Sequence, residues 1–197
     1  EMSRIANEHF HNIFAADTSL VATEVVELFE WDVSPEDNDR LCAPFTDKEI
    51  SDAMFQIGPL KAPGPDGFPA RFFQHNWSTV KAGVLAAVKD FFSTGVMPEG
   101  VNATSIVLIP KTSNPAKMSD YRPISLCNVI YKIASKVLAN RLKIILPEVI
   151  SEEQSAFVPG RLITDNIIAA YECLHFMKRN KAQVHRSCAL KLDMMKA

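Results

Sequence analysis

Apolar side chains recur along most of this chain at steps of three and four residues, the spacing of helices with one buried side. Ala6, Phe10, Ile13 and Phe14 form one such stripe; Asp17-Thr18-Ser19 breaks it, and Val21, Val25, Leu28 and Phe29 resume it. Thr46-Asp47-Lys48-Glu49 reads as a capping box. A helix is therefore expected from about Asp47 through Ile50, Ala53 and Met54, stopping at Gly58. Residues 61–69 (KAPGPDGFP) concentrate prolines and glycines and suit neither helix nor central strand. A long helix is expected over 77–93, closed by Gly95 and Pro98. Residues 103–110 (ATSIVLIP) are apolar and β-branched and predict a buried strand. A polar loop over 111–123 and a short strand over 124–126 follow. The pattern over 129–146 is helical, with Ile130, Ile133, Val137, Leu138 and Leu142 on one face and Lys132, Lys136, Asn140 and Lys143 on the other; Pro147 limits it. A loop over 154–162 precedes a helix capped by Thr164 or Asp165 and running to about Asn180. Residues 187–193 (SCALKLD) alternate and predict a half-buried strand ending at Asp193.

Composition adds bounds to that pattern. The chain has 197 residues, of which 47% are hydrophobic and 22% charged, ordinary globular usage. No apolar run approaches the roughly 20 residues of a membrane-spanning helix. Cys42, Cys127, Cys173 and Cys188 are scattered, which suits reduced thiols in an intracellular protein. The net charge of −2 conceals a split. Residues 1–60 carry 13 acidic and three basic side chains; residues 61–197 carry 10 acidic and 18 basic. A basic body behind an acidic lead-in points to nucleic acid or another acidic partner.

Several residues could carry chemistry. A carboxylate at the exit of an apolar strand, such as Asp193, is a suitable metal ligand because the strand fixes its direction. Lys111 and Arg122 flank two proline-bounded apolar stretches. If those stretches pair as a hairpin, both cations come near the connecting loop and suit a triphosphate, Lys as a point charge and Arg as a fork. Asp66 sits in a Pro-Asp-Gly turn. Gln154 and Arg161 flank a loop of small residues, where Arg161 could meet a phosphate backbone, as could the basic side of the 129–146 helix. Each of these also has an ordinary structural explanation: a strand end, a solvated loop, a turn, a solvated face. Cys173, His175, His185 and Cys188 resemble zinc-ligand types. Their C-x-H spacing divides the ligands around a helix, so a buried Cys173 with solvent-facing histidines is expected instead.

The order of the blocks says more than any block alone. KAPGPDGF (61–68), IVLIPK (106–111), DYRPISLCNVIYKIASKVLANRL (120–142), QSAFVPGRLITDNI (154–167) and KLDMMKA (191–197) together resemble a plant LINE-type, non-LTR retrotransposon reverse transcriptase. The resemblance is strong over 59–197 and looser before it. It implies an α+β, mainly helical chain: an acidic helical extension over 1–58, then part of a right-hand polymerase over 59–197, comprising fingers and the first palm strand.

The same resemblance implies roles. Asp193 falls where the family's first catalytic palm aspartate binds Mg²⁺. Lys111 and Arg122 fall where fingers residues clamp the phosphates of the incoming deoxynucleotide. Asp66, Gln154 and Arg161 fall in blocks associated with template and primer contact. The implied partners are an RNA template, a DNA primer and deoxynucleoside triphosphates, without a membrane, and the implied location is the nucleus. In the family, a second block bearing catalytic carboxylates follows the one at 191–197. Two-metal transfer needs carboxylates from different strands. The 197 residues alone are therefore expected to lack polymerase activity, as a fragment of the enzyme, a non-catalytic RNA or RNA–DNA binding module, or a remnant of a decayed element.

Overall fold

The computed structural model describes residues 2–15, 33–179 and 188–190. Two compact units divide the chain, Glu1–Leu142 and Lys143–Ala197. The first holds helices α1 (Met2–Phe14), α2 (Pro35–Cys42), α3 (Asp47–Gln56), α4 (Ala70–His75) and α5 (Trp77–Thr94), then strands β1 (Thr104–Pro110) and β2 (Tyr121–Cys127). Helix α6 (Val129–Val149) begins in the first unit and ends in the second, which also contains α7 (Ile163–Arg179). The described structure is mostly helical, with a small two-stranded antiparallel sheet.

Local signals account for the helix ends. At α3 the Thr46 hydroxyl accepts from the Glu49 amide at 3.2 Å, while the Glu49 carboxylate accepts from the Thr46 amide at 2.8 Å. This is the capping box expected from sequence, and it satisfies two of the otherwise orphaned amides. Helix α2 was not expected, yet its start is conventional: Ser34 accepts from the Asp37 amide, Pro35 opens the first turn, and Glu36 and Asp37 follow. Helix α5 closes on Gly95 at φ 71°, a left-handed geometry that disfavours any side chain.

The core lies where α3, α4, α5 and α6 meet. Ile50, Ala53 and Met54 pack with Ala70, with Val84, Leu85 and Val88, and with Val129, Ile133, Ala134 and Val137. Fully burying a side chain such as Ile50, Met54 or Ile133 contributes about 1.5–3 kcal/mol. Gln74 on α4 donates to the Met54 and Ile57 carbonyls at 3.2 and 2.9 Å, closing the open end of α3.

The structure corrects five expectations. Residues 104–110 do form a strand, but not a buried one: Ile106, Val107 and Ile109 are 41–46% exposed. A two-stranded ribbon has no third strand to cover it. The loop after β1 ends at Asp120, since Tyr121–Cys127 all belong to β2. On α6, Leu138 and Leu142 face outward and Arg141 takes the buried position beside Val137. Its carbonyl and carboxylate partners lie on that side, and its guanidinium lies over the Phe45 ring. Pro147 sits inside α6 rather than ending it. Its missing amide forfeits one helical hydrogen bond, that to the carbonyl four residues earlier, in the last turns of the helix, while the Arg161 guanidinium donates to the Pro147 and Ile150 carbonyls at the helix end. Cys173 is exposed on α7, a helix none of whose residues is buried.

The segment around Val21, Val25, Leu28 and Phe29 lies outside the described residues, as does most of the 187–193 strand, including Asp193. Its described part, 188–190, forms no strand, having no neighbouring strand among the described residues to pair with, and Leu190 is exposed.

Candidate functional site

The β1–β2 hairpin carries Arg122 on β2 and, just past the end of β1, Lys111. Its register runs from Thr104 opposite Cys127 to Pro110 opposite Tyr121, with Ile109 opposite Arg122. Pairing continues one step further, because the Lys111 amide donates to the Asp120 carbonyl at 2.7 Å. Side chains alternate along a strand, so Lys111, Ile109 and Arg122 share one face, with Lys111 and Arg122 as diagonal neighbours about 7–8 Å apart. The sequence placed two cations near one loop; the register puts them on one side of it.

The loop between the strands is closed upon itself. The Lys111 ammonium donates to the Ser119 carbonyl at 2.7 Å. The Asp120 carboxylate accepts from the Ala116 and Lys117 amides at 3.0 and 3.1 Å. Those two amides, then the neighbouring Lys117 and Lys111 charges, hold its carboxyl below the ordinary carboxylate range. The opposite face of the hairpin borders an open cleft of about 720 Å³, lined by Phe10, Phe14, Ile106 and Leu108 among others.

Asp66 belongs to the other end of the hairpin. Its carboxylate accepts from the Phe68 amide at 3.0 Å, an Asx turn completed by Gly67 at φ 75°. Its amide donates to the Asn128 side-chain oxygen at 3.2 Å. Asn128 is buried, and its side-chain nitrogen donates to the Gly100 and Val101 carbonyls at 2.9 and 3.2 Å. One side chain thus joins the 61–69 loop, the turn before β1 and the start of α6. A Cβ on Gly64 would lie 2.2 Å from the same oxygen, so glycine is required there. Six strand positions separate Asn128 from Arg122, roughly 20 Å of extended chain. Asp66 and the two hairpin cations do not form one cluster.

Gln154 and Arg161 lie in the second unit. Gln154 is exposed, and its carbonyl accepts from Arg161 at 2.8 Å. The Arg161 guanidinium also donates to the carbonyls of Ser151, Ile150 (3.1 Å) and Pro147 (3.3 Å). Both terminal nitrogens of Arg161 are spent on the end of α6 and the turn after it. Between the two residues, Phe157 has φ 65° and is 94% exposed. That exposed aromatic, like Asn128 and Asp120, was missed from sequence. Asn128 was legible only as a residue preceding a helix, and nothing local signals a left-handed Phe. On α6, Lys132 donates to the Ala62 carbonyl at 2.8 Å, so one of the expected backbone-tracking lysines also braces the 61–69 loop.

Among the described residues, no group of three His, Cys, Asp or Glu side chains could hold a metal ion. Asp193, to which the resemblance assigns Mg²⁺, lies outside them. No described helix is long and apolar enough to cross a membrane.

Comparison with known proteins gives these positions a common context. Residues 109–197 match the family described as reverse transcriptase (RNA-dependent DNA polymerase). The chain is 33% identical over 196 residues to the transposon TX1 uncharacterized 149 kDa protein of Xenopus laevis, covering 98% of this chain and 14% of that protein. It is 25% identical over 161 residues to the Pol polyprotein of the type-2 retrotransposable element R2DM of Drosophila melanogaster, covering 81% of this chain and 14% of the relative. A type-1 element R1 polyprotein from Bradysia coprophila is 26% identical over 129 residues, covering 64% and 12%. The chain thus carries reverse-transcriptase domain sequence with homologues among non-LTR retrotransposon proteins, and spans a small part of their length.

Proposed function

We propose that this chain holds the incoming nucleotide and the template for an RNA-directed DNA polymerase of a non-LTR retrotransposon, of the LINE type found in plants, working in the nucleus on RNA template and DNA primer. The observation that carries the reading is the fingertip. Lys111 and Arg122 share one face of a solvent-exposed hairpin, within the segment that matches the reverse transcriptase family. A triphosphate is a match for that pair: the ammonium offers a compact charge and the guanidinium a two-pronged donor. Asp66, Gln154 and Arg161 are proposed to meet template and primer. For Asp66 and Arg161 this would act largely through the backbone they shape, since the Asp66 carboxylate accepts from the Phe68 amide and the Arg161 terminal nitrogens donate to carbonyls. Asp193 is proposed as a ligand of Mg²⁺, which when bound would activate the primer hydroxyl and stabilise the departing pyrophosphate. The described residues bind and orient.

The test is calorimetric titration of the chain with dATP and Mg²⁺. Charge-assisted hydrogen bonds contribute about 1.5–3 kcal/mol each. Lys111→Ala and Arg122→Ala should therefore each weaken binding about tenfold or more. Binding indifferent to both substitutions would sink the assignment. RNA binding without triphosphate binding would move the reading to a nucleic-acid module.

A further inference from the structure

The loop between the two fingertip cations contains a carboxylate in the wrong place for simple electrostatics. A site for a triphosphate gains nothing from a negative charge beside it, yet Asp120 lies in the strand pairing directly opposite Lys111. Its geometry explains what it does there. Asp120 touches the loop at three points. Its carboxylate takes the amides of Ala116 and Lys117, and its carbonyl takes the amide of Lys111. The 3₁₀ turn Met118–Asp120 is thereby closed, with the Asp120 amide donating back to the Lys117 carbonyl at 2.9 Å. That turn presents the Ser119 carbonyl to which the Lys111 ammonium donates.

We infer that Asp120 is a positioning residue: by closing the 116–120 turn it aims the Lys111 ammonium along the face that also carries Arg122, ready for a triphosphate. This rests on the nucleotide-binding reading of Lys111 and Arg122. The aim matters because a lysine side chain otherwise spreads over many rotamers, which binding would have to order. The Ser119 carbonyl restrains that freedom through a hydrogen bond that a phosphate oxygen can replace.

Two substitutions separate positioning from charge. Asp120→Asn keeps a side-chain oxygen able to accept from both amides and removes the charge. Asp120→Ala removes both. If Asp120 acted only through its charge, either change would tighten the binding of an anion. If it positions Lys111, Asp120→Ala weakens dATP–Mg²⁺ binding about fivefold or more, while Asp120→Asn stays within about twofold of the parent chain or binds tighter. Equal or tighter binding by Asp120→Ala overturns the inference. A second readout needs no nucleotide. Amide exchange at Ala116 and Lys117, and the ¹⁵Nζ resonance of Lys111, should change in Asp120→Ala and be restored in Asp120→Asn. Unchanged signals in Asp120→Ala overturn positioning even where nucleotide binds. Altered signals in Asp120→Ala, together with dATP binding that ignores Lys111→Ala, would leave the loop geometry standing and remove the nucleotide reading instead.

Discussion

Replacing Arg141 with Ala should destabilise the first unit more than loss of an ordinary surface cation. Arg141 holds Glu49 by two bonds, Nε to Oε1 at 2.7 Å and Nη2 to Oε2 at 3.1 Å. It also donates to the carbonyls of Leu41 (2.9 Å), Ala43 and Pro44 (3.0 Å) and covers the Phe45 ring at 3.7 Å. One side chain on α6 thereby fixes the segment between α2 and α3. Removing one member of a buried pair costs about 3–5 kcal/mol. Arg141 is 9% exposed but Glu49 is 34% exposed, so water repays part of the loss and about 3 kcal/mol is expected. With a urea dependence of about 2 kcal/mol per molar, the midpoint should fall by about 1.5 M. Arg141→Lys keeps the charge but loses the fork, and should fall between the two.

The same pair sets a pH dependence. The Arg141 hydrogen bond is the main cause holding the Glu49 carboxyl down from 4.5 to about 2, with further help from Thr46. A depressed carboxylate contributes stability that is fully present above its unfolded value and is lost as pH falls through its folded one. The gap between parent and Arg141→Ala should therefore persist at pH 6 and narrow between about pH 4.5 and 2. A gap below about 1 kcal/mol at neutral pH, or one that does not narrow in acid, would refute the reasoning.

Two further outcomes follow from the other polar anchors. Asn128→Ala removes three hydrogen bonds at a buried position and should cost about 2–3 kcal/mol, with faster amide exchange at Asp66; unchanged exchange there would contradict the bridging role. Arg161→Ala uncaps the end of α6 at a cost of about 1 kcal/mol, speeding amide exchange near residues 149–151 but not near Ile133, as hydrogen exchange with mass spectrometry can tell.

Much of the helical framework was legible because its signals are local. The capping box of α3, the glycine after α5 and the breakers at 61–69 each act within a few residues, and each does in the fold what its chemistry predicts. Misreadings arose where the partner is distant. Residues 104–110 look like a buried strand because Ile, Val and Leu crowd there, but burial depends on what covers a strand, and a hairpin exposes both its faces. Leu138 and Leu142 looked like core, yet both are exposed and Arg141 is buried. The choice was made by Glu49 and by the carbonyls of residues 41–44, roughly a hundred positions away in sequence. Helices α2 and α4 are short, and their few apolar residues give too little periodicity to detect.

The candidate residues divide in the same way, and the division constrains how they can work together. Sequence blocks in a fixed order suggest one site; the structure separates their members. Lys111 and Arg122 meet across a single register step, so a ligand reaching one reaches the other. Asp66 is anchored at Asn128, at the hairpin's far end, roughly 20 Å away along β2. No hydrogen bond spans that distance, so a ligand held as proposed between Lys111 and Arg122 would not be reached by Asp66 and its turn. Substitutions at sites so far apart add when they act independently. The 61–69 turn can thus be altered without moving the tip of the β1–β2 hairpin, provided that Asn128, which ties that turn to the start of α6, is left in place.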